Sequence, residues 1–154
     1  YIMPKKDWGP ITWILFHSLC ELIKDEYFHE EKENILNQIF TICYNLPCPS
    51  CSQHARMNLK RMKKKNINTK HDLKIIIWQF HNIVNKHTKK PEVDFDILEK
   101  YKTAKLYTII DRFKQIYNTA YISNKYIMYK FHGQKTVENF LIYMQENKHK
   151  FIFN

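Results

Sequence analysis

Glycine occurs only twice in 154 residues, at Gly9 and Gly133. No other feature narrows the choice of fold so far. Phosphate-cradling loops need clustered glycines, because the backbone must turn sharply and approach the phosphates closely. Rossmann and Walker-type nucleotide enzymes are therefore excluded. Sandwiches and barrels of many strands are disfavoured as well, since their tight turns consume glycine and asparagine pairs. The length suits one domain with a sizeable core. No run approaches the ~18 apolar residues of a membrane span, so no membrane is expected as partner. The chain opens on Tyr1 rather than methionine, which suggests a trimmed chain, so the lack of a leader excludes little.

Hydrophobic spacing predicts helices. Residues 10–24 carry Ile11, Ile14, Leu15, Leu19, Leu22 and Ile23, with Pro10 placed in a first turn. Residues 31–46 repeat the pattern through Ile35, Leu36, Ile39, Phe40 and Cys43 until Pro47 and Pro49 break it. A third helix is predicted from Pro49 to about Lys64 and a fourth from Lys70 to Lys86, with a loop over 66–69 between them. Residues 94–118 read as helix in one or two pieces. Around Asn124 the pattern fits a hairpin or a helix extension equally, and Val137–Met144 reads as a last helix. The fold class is thus all-α: a bundle of four or five helices and a C-terminal extension.

The net charge is +10. All but three of the 25 cationic side chains are lysine; the arginines are Arg56, Arg61 and Arg112. Arginine is the usual reader of guanine edges and phosphate forks. Lysine with abundant Ile and Asn is the bias of AT-rich coding. The charge is read as solvated surface, and nucleic acid is not the expected partner. The run Lys60–Lys65 falls at a predicted helix end, where cations complement the helix dipole.

The four cysteines are Cys20, Cys43, Cys48 and Cys51. A disulfide-stapled secreted domain would spread its cysteines along the chain, but none follows Cys51. Cys48-Pro49-Ser50-Cys51 at a helix start suits thiol–disulfide exchange. Unpaired N–H groups and the positive dipole end stabilise a thiolate there, and the second sulfur resolves a mixed disulfide. One alternative is a binding module for nucleic acid or protein with a structural zinc on Cys48, Cys51, His81 and His87. A thioredoxin fold would need a strand before the motif, where residues 31–46 read as helix. Cys20 and Cys43 lie on apolar faces and read as buried small hydrophobes rather than a second redox pair.

Trp13 and His17 share one helix face, and Trp78, His81, Val84 and Asn85 share another. Two such faces beside a redox pair can hold a planar cofactor between helices.

These residues resemble the Erv/ALR family of FAD-linked sulfhydryl oxidases. Three blocks carry the likeness: Trp8-Gly9-Pro10-Ile11-Thr12-Trp13-Ile14-Leu15-Phe16-His17, then Pro47-Cys48-Pro49-Ser50-Cys51, then His81-Asn82-Ile83-Val84-Asn85-Lys86 with Lys89-Lys90-Pro91 behind it. Residues 1–118 are assigned to the family-like domain and 119–154 to an extension of unknown role. The composition looks more like a member from a large DNA virus than a cellular one, which implies host cytoplasm or the virion as location.

The resemblance implies a four-helix bundle cradling FAD, often as a homodimer. It implies that Cys48 meets a thiol-bearing protein substrate and that Cys51 sits beside the flavin. Trp13, His17, His81, Val84, Asn85, Lys86 and Lys90 would contact FAD, and O2 would be reduced to H2O2. Pro10 stands where cellular members often have Arg, and Trp78 where many have Cys. No second paired-cysteine motif is present to act as a shuttle.

Overall fold

A computed structural model describes residues 2–62 and 64–154. Six α-helices form among the described residues: α1 (Lys5–Leu22), α2 (Phe28–Tyr44), α3 (Pro49–Leu59), α4 (Lys70–His87), α5 (Leu106–Ile122) and α6 (Ile127–Glu146). Phe95–Thr103 is a 3-10 segment that separates α4 from α5, so residues 94–118 do divide into two pieces.

Helix α1 starts a turn earlier than its periodicity implied. Pro4 rather than Pro10 stands at its N-cap, and Pro10 lies inside the helix. Proline there forfeits one helical hydrogen bond, and its ring disfavours helical geometry in the residue before it. That residue is Gly9, which has no Cβ to clash. Helix α3 ends at Leu59, not Lys64. Lys60 caps it, Arg61 turns the chain, and Lys63 of the basic run lies outside the described residues. Helix α4 opens with a capping box, in which Thr69 accepts from the Asp72 N–H and Asp72 accepts from the Thr69 N–H.

The segment that read as hairpin or helix is helical on both sides of a short turn. α5 continues to Ile122 and α6 begins at Ile127. α5 packs along α1, and α6 packs on α5 and α2. Tyr121, Val137, Phe140, Met144 and Phe151 join the same buried cluster as Leu15, Ile39 and Ile77. Gly133 lets α6 approach α5, since a Cβ there would overlap the Tyr121 ring. The chain end is tied down as well. Ile152 N–H donates to Leu22 and Lys24 N–H donates to Lys150. Lys150 Nζ reaches the buried Glu31 carboxylate at 2.9 Å. Burial opposes the charge of Glu31, but hydrogen bonds from Lys150, Tyr143 and Asn34 outweigh it and hold the carboxyl below its ordinary range.

Candidate active site

The first four helices enclose a cleft of about 260 Å³. α1 contributes Trp8, Gly9, Thr12, Trp13 and Phe16, α4 contributes Phe80, Val84 and His87, and α3 contributes Ser50, Cys51, His54 and Ala55. Cys43 and Leu46 close the floor from α2 and the loop after it. Flat aromatic walls around a narrow space suit a planar heteroaromatic ligand.

Cys48 and Cys51 form a disulfide with Cα atoms 5.3 Å apart. Cys48 is the N-cap of α3, and its Sγ accepts the Cys51 N–H at 3.3 Å. Pro49 follows at the first helical position, where no N–H is needed. The unpaired N–H groups of this helix end favour negative charge on sulfur once the bond is reduced. Cys51 lines the cleft and Cys48 does not, so the two sulfurs have different surroundings.

The Trp13 and His81 rings stack with centroids 4.0 Å apart and planes 7° apart. His17 Nε2 lies 2.8 Å from His81 Nδ1. One of these nitrogens must present a lone pair, so the facing pair holds a single proton. Burial pushes His17 down to about 3, and the charges of His81 and Lys100 add to it. Burial likewise pushes His81 down to about 4, with Lys90, Lys5 and Lys100 adding. Lys5 is itself held low by burial and by Lys90. Lys5, Lys90 and Lys100 pair with no carboxylate among the described residues. Lys5 lines the cleft, and uncompensated cations around it and the histidine pair favour an anionic group.

Not all of the expected residues converge. Trp13, Val84 and Cys51 line the cleft. His17 and His81 stand behind Trp13 as a hydrogen-bonded pair, and Asn85 is buried within α4. Lys90 sits just past the helix, its N–H on the Asn85 carbonyl at 2.8 Å. Lys86 faces away and lines a separate hollow with Trp78, Asn82 and Glu92. Asn82 holds the chain after α4 in place, with its carboxamide bonded to both the N–H and the carbonyl of Val93. Trp8, Phe16, Phe80, Lys5 and His54 line the cleft without having been singled out. His54 stands three residues after Cys51, one turn along α3, and its ring stacks on His87 at 3.7 Å. That spacing was the available signal.

The four-ligand zinc arrangement does not assemble. Two of its members are joined in the disulfide, His81 is stacked on Trp13, and His87 on His54. No group of three or more His, Cys, Asp or Glu with metal-site geometry forms among the described residues. Cys20 and Cys43 are free and buried, and burial raises both thiols far above their ordinary range. They behave as small hydrophobes.

Two observations test the cleft against a flavin dinucleotide. Trp8 lines it, yet its Nε1–H is buried without a partner, a donor that a heteroaromatic acceptor would satisfy. Gly9 is also on the wall, where a Cβ would stand in van der Waals contact with the Lys5 side chain at 3.4 Å, so the glycine leaves that part of the cleft wider. Aromatic walls, this donor and the nearby uncompensated lysines together fit such a group.

Comparison with known proteins places these features. The chain is 33% identical over 100 residues to the FAD-linked sulfhydryl oxidase ERV2 of Saccharomyces cerevisiae, covering 63% of this chain and 50% of the yeast protein. It therefore spans half the length of that relative. It is 28% identical over 95 residues to the probable FAD-linked sulfhydryl oxidase FPV093 of Fowlpox virus, covering 62% of this chain and 93% of the viral one. A putative FAD-linked sulfhydryl oxidase of Invertebrate iridescent virus 3, 096R, is 28% identical over 93 residues, covering 57% and 60%. No solved structure matches. Residues 10–107, which carry all three motif blocks from Pro10 onward, match the Erv1 / Alr family, and the chain belongs to that family.

Proposed function

We propose that this chain is an FAD-linked sulfhydryl oxidase that makes disulfide bonds in thiol-bearing proteins. One observation carries the reading: of two disulfide-bonded sulfurs at the start of α3, Cys51 forms part of the wall of an aromatic cleft and Cys48 lies outside it.

A substrate thiolate attacks Cys48 Sγ, forming a mixed disulfide and releasing Cys51 as thiolate. The second substrate thiolate then attacks the substrate sulfur of that bond and releases Cys48. The substrate leaves as a disulfide, and two electrons remain on Cys48 and Cys51. The N-terminus of α3 stabilises the released thiolate. Trp8, Trp13, Phe80 and Val84 would hold the FAD ring system and exclude water, and Lys5 and Lys90 would offset the diphosphate charge. When bound, FAD supplies a two-electron acceptor beside Cys51 whose electrons go to O2, giving H2O2. Loss of the two electrons and two protons of the Cys48–Cys51 dithiol re-forms the S–S bond between them. Thr12, in the wall itself, ties it to α5. Its hydroxyl donates to the Trp8 carbonyl at 2.7 Å and bonds to the Tyr117 hydroxyl of α5.

A homodimer is part of this reading, tested by sedimentation. So is action in host cytoplasm or in the particle, tested by fractionating the source. The purified protein should be yellow, with a flavin spectrum, and should consume O2 with dithiothreitol. Cys51→Ser should retain flavin and lose turnover. A colourless protein, or an active Cys51→Ser variant, would sink the proposal.

A further inference from the structure

The turn between α5 and α6 carries a cluster of exposed apolar side chains. Ile122, Tyr126, Ile127, Met128 and Phe131 are between 45% and 78% exposed. They do not serve the fold, because α6 buries a different face, through Gly133, Thr136, Val137, Phe140 and Met144. Contiguous exposed side chains of this kind mark interaction sites.

The patch is fixed beside the redox disulfide. Asn124, buried at the turn, donates from Nδ2 to the Pro47 carbonyl at 3.4 Å and accepts the Tyr126 N–H at 2.8 Å. The Pro47 carbonyl belongs to the peptide group that joins Pro47 to Cys48. The Tyr121 hydroxyl donates to the Asn45 carbonyl, in the same approach to Cys48. The corner is therefore hydrogen-bonded to the segment that presents the outer sulfur.

We propose that the α5–α6 corner docks the apolar residues flanking the cysteines of an unfolded, thiol-bearing polypeptide, seating them beside Cys48. This rests on the oxidase reading and extends it to the class of substrate. Two arguments favour that occupant over a second copy of this chain. A few side chains fall far short of the ~20–30 residues per partner in a stable interface. A permanent partner at this corner would also crowd the sulfur that must stay open for exchange. Transient contact with an extended chain requires only a few aromatic and aliphatic anchors. Lys125 is exposed within the patch, so neutral or acidic flanks bind better than basic ones.

The test uses this chain in its flavin-loaded form with three synthetic dithiol peptides, their cysteine pair flanked by Leu and Phe, by Ser, or by Lys, alongside dithiothreitol. The parent protein should favour the Leu/Phe peptide over the Ser peptide by about tenfold in kcat/KM. The double variant Ile127→Ser/Phe131→Ser should lose that preference, mostly through KM, while dithiothreitol oxidation and the flavin spectrum stay unchanged. A parent protein without preference, or a variant that keeps it, would overturn the docking proposal. So would a variant whose dithiothreitol oxidation falls in step, or whose loss tracks a change in oligomeric state. Failure of the parent to oxidise dithiothreitol is a separate outcome, which overturns the oxidase reading and this proposal with it.

Discussion

His17 Nε2 and His81 Nδ1 lie 2.8 Å apart, and this contact joins α1 to α4 behind the aromatic wall. Both rings are held neutral, by burial first and neighbouring positive charge second. The unfolded chain has no such restraint and takes up protons below the ordinary value of 6.5. Stability contributed by the pair is thus fully present above that value and falls as pH drops toward about 4. Each histidine adds a slope of up to about 1.4 kcal/mol per pH unit. Urea unfolding between pH 6.5 and 5 should show falling stability, and His17→Phe should flatten the fall. A flat profile in the parent chain would contradict the neutral pair.

The same substitution at the two glycines should give different results. At Gly133 a methyl would overlap the buried Tyr121 ring, so Gly133→Ala should cost about 1–3 kcal/mol, read from the denaturation midpoint. At Gly9 the methyl would meet only Lys5 beyond its chain neighbours, and its better helix propensity offsets its crowding against the Pro10 ring, so stability should change by less than about 1 kcal/mol. Flavin retention through gel filtration should nonetheless drop in Gly9→Ala, because the methyl takes up cleft space. Equal stability losses at both sites would refute this account.

Lys89 sits in the left-handed region at φ 59°, directly after the end of α4. The Lys90 N–H bonds to the Asn85 carbonyl and the Lys89 N–H to the Lys86 carbonyl, the paired pattern of a Schellman cap. Glycine is the usual residue at this position. Lys89→Gly should stabilise the protein by about 0.5–1 kcal/mol, the strain relief being partly offset by greater freedom of the unfolded chain. A lower thermal midpoint in the variant would show that the lysine side chain contributes more than its backbone costs.

Lys150 and Glu31 fasten the chain end to α2. Lys150→Met would leave a buried carboxylate with less support and should lower the denaturation midpoint. Because Glu31 is held low, its contribution is present above its ordinary value of 4.5 and is lost as pH falls below it. Circular dichroism during acid titration should show the parent losing stability below that pH and Glu31→Gln losing less. Identical acid limbs would exclude this role for Glu31.

Several elements were legible because local chemistry dictates them. Apolar spacing announced α2 and α4, and two prolines announced the break before the cysteine pair. The start of α1 was not legible, since proline inside a helix looks like a boundary unless the glycine before it is weighed. The α5–α6 turn was ambiguous because alternating Tyr and Ile satisfies strand and helix periods over so short a stretch. Lys86 shares a sequence block with Asn85, but one residue turns a helix by about 100° and carries it to the outer face.

The sequence by itself determined the helical class and placed a disulfide-forming pair at a helix start, because proline, glycine scarcity and apolar period act over a few residues. Only tertiary structure decided that an aromatic cleft forms against Cys51 and not Cys48, that two histidines from α1 and α4 meet at hydrogen-bond distance, and that an apolar corner lies beside the outer sulfur. Those facts depend on packing between residues as far apart as Pro47 and Asn124, and no local pattern encodes a contact across that much chain.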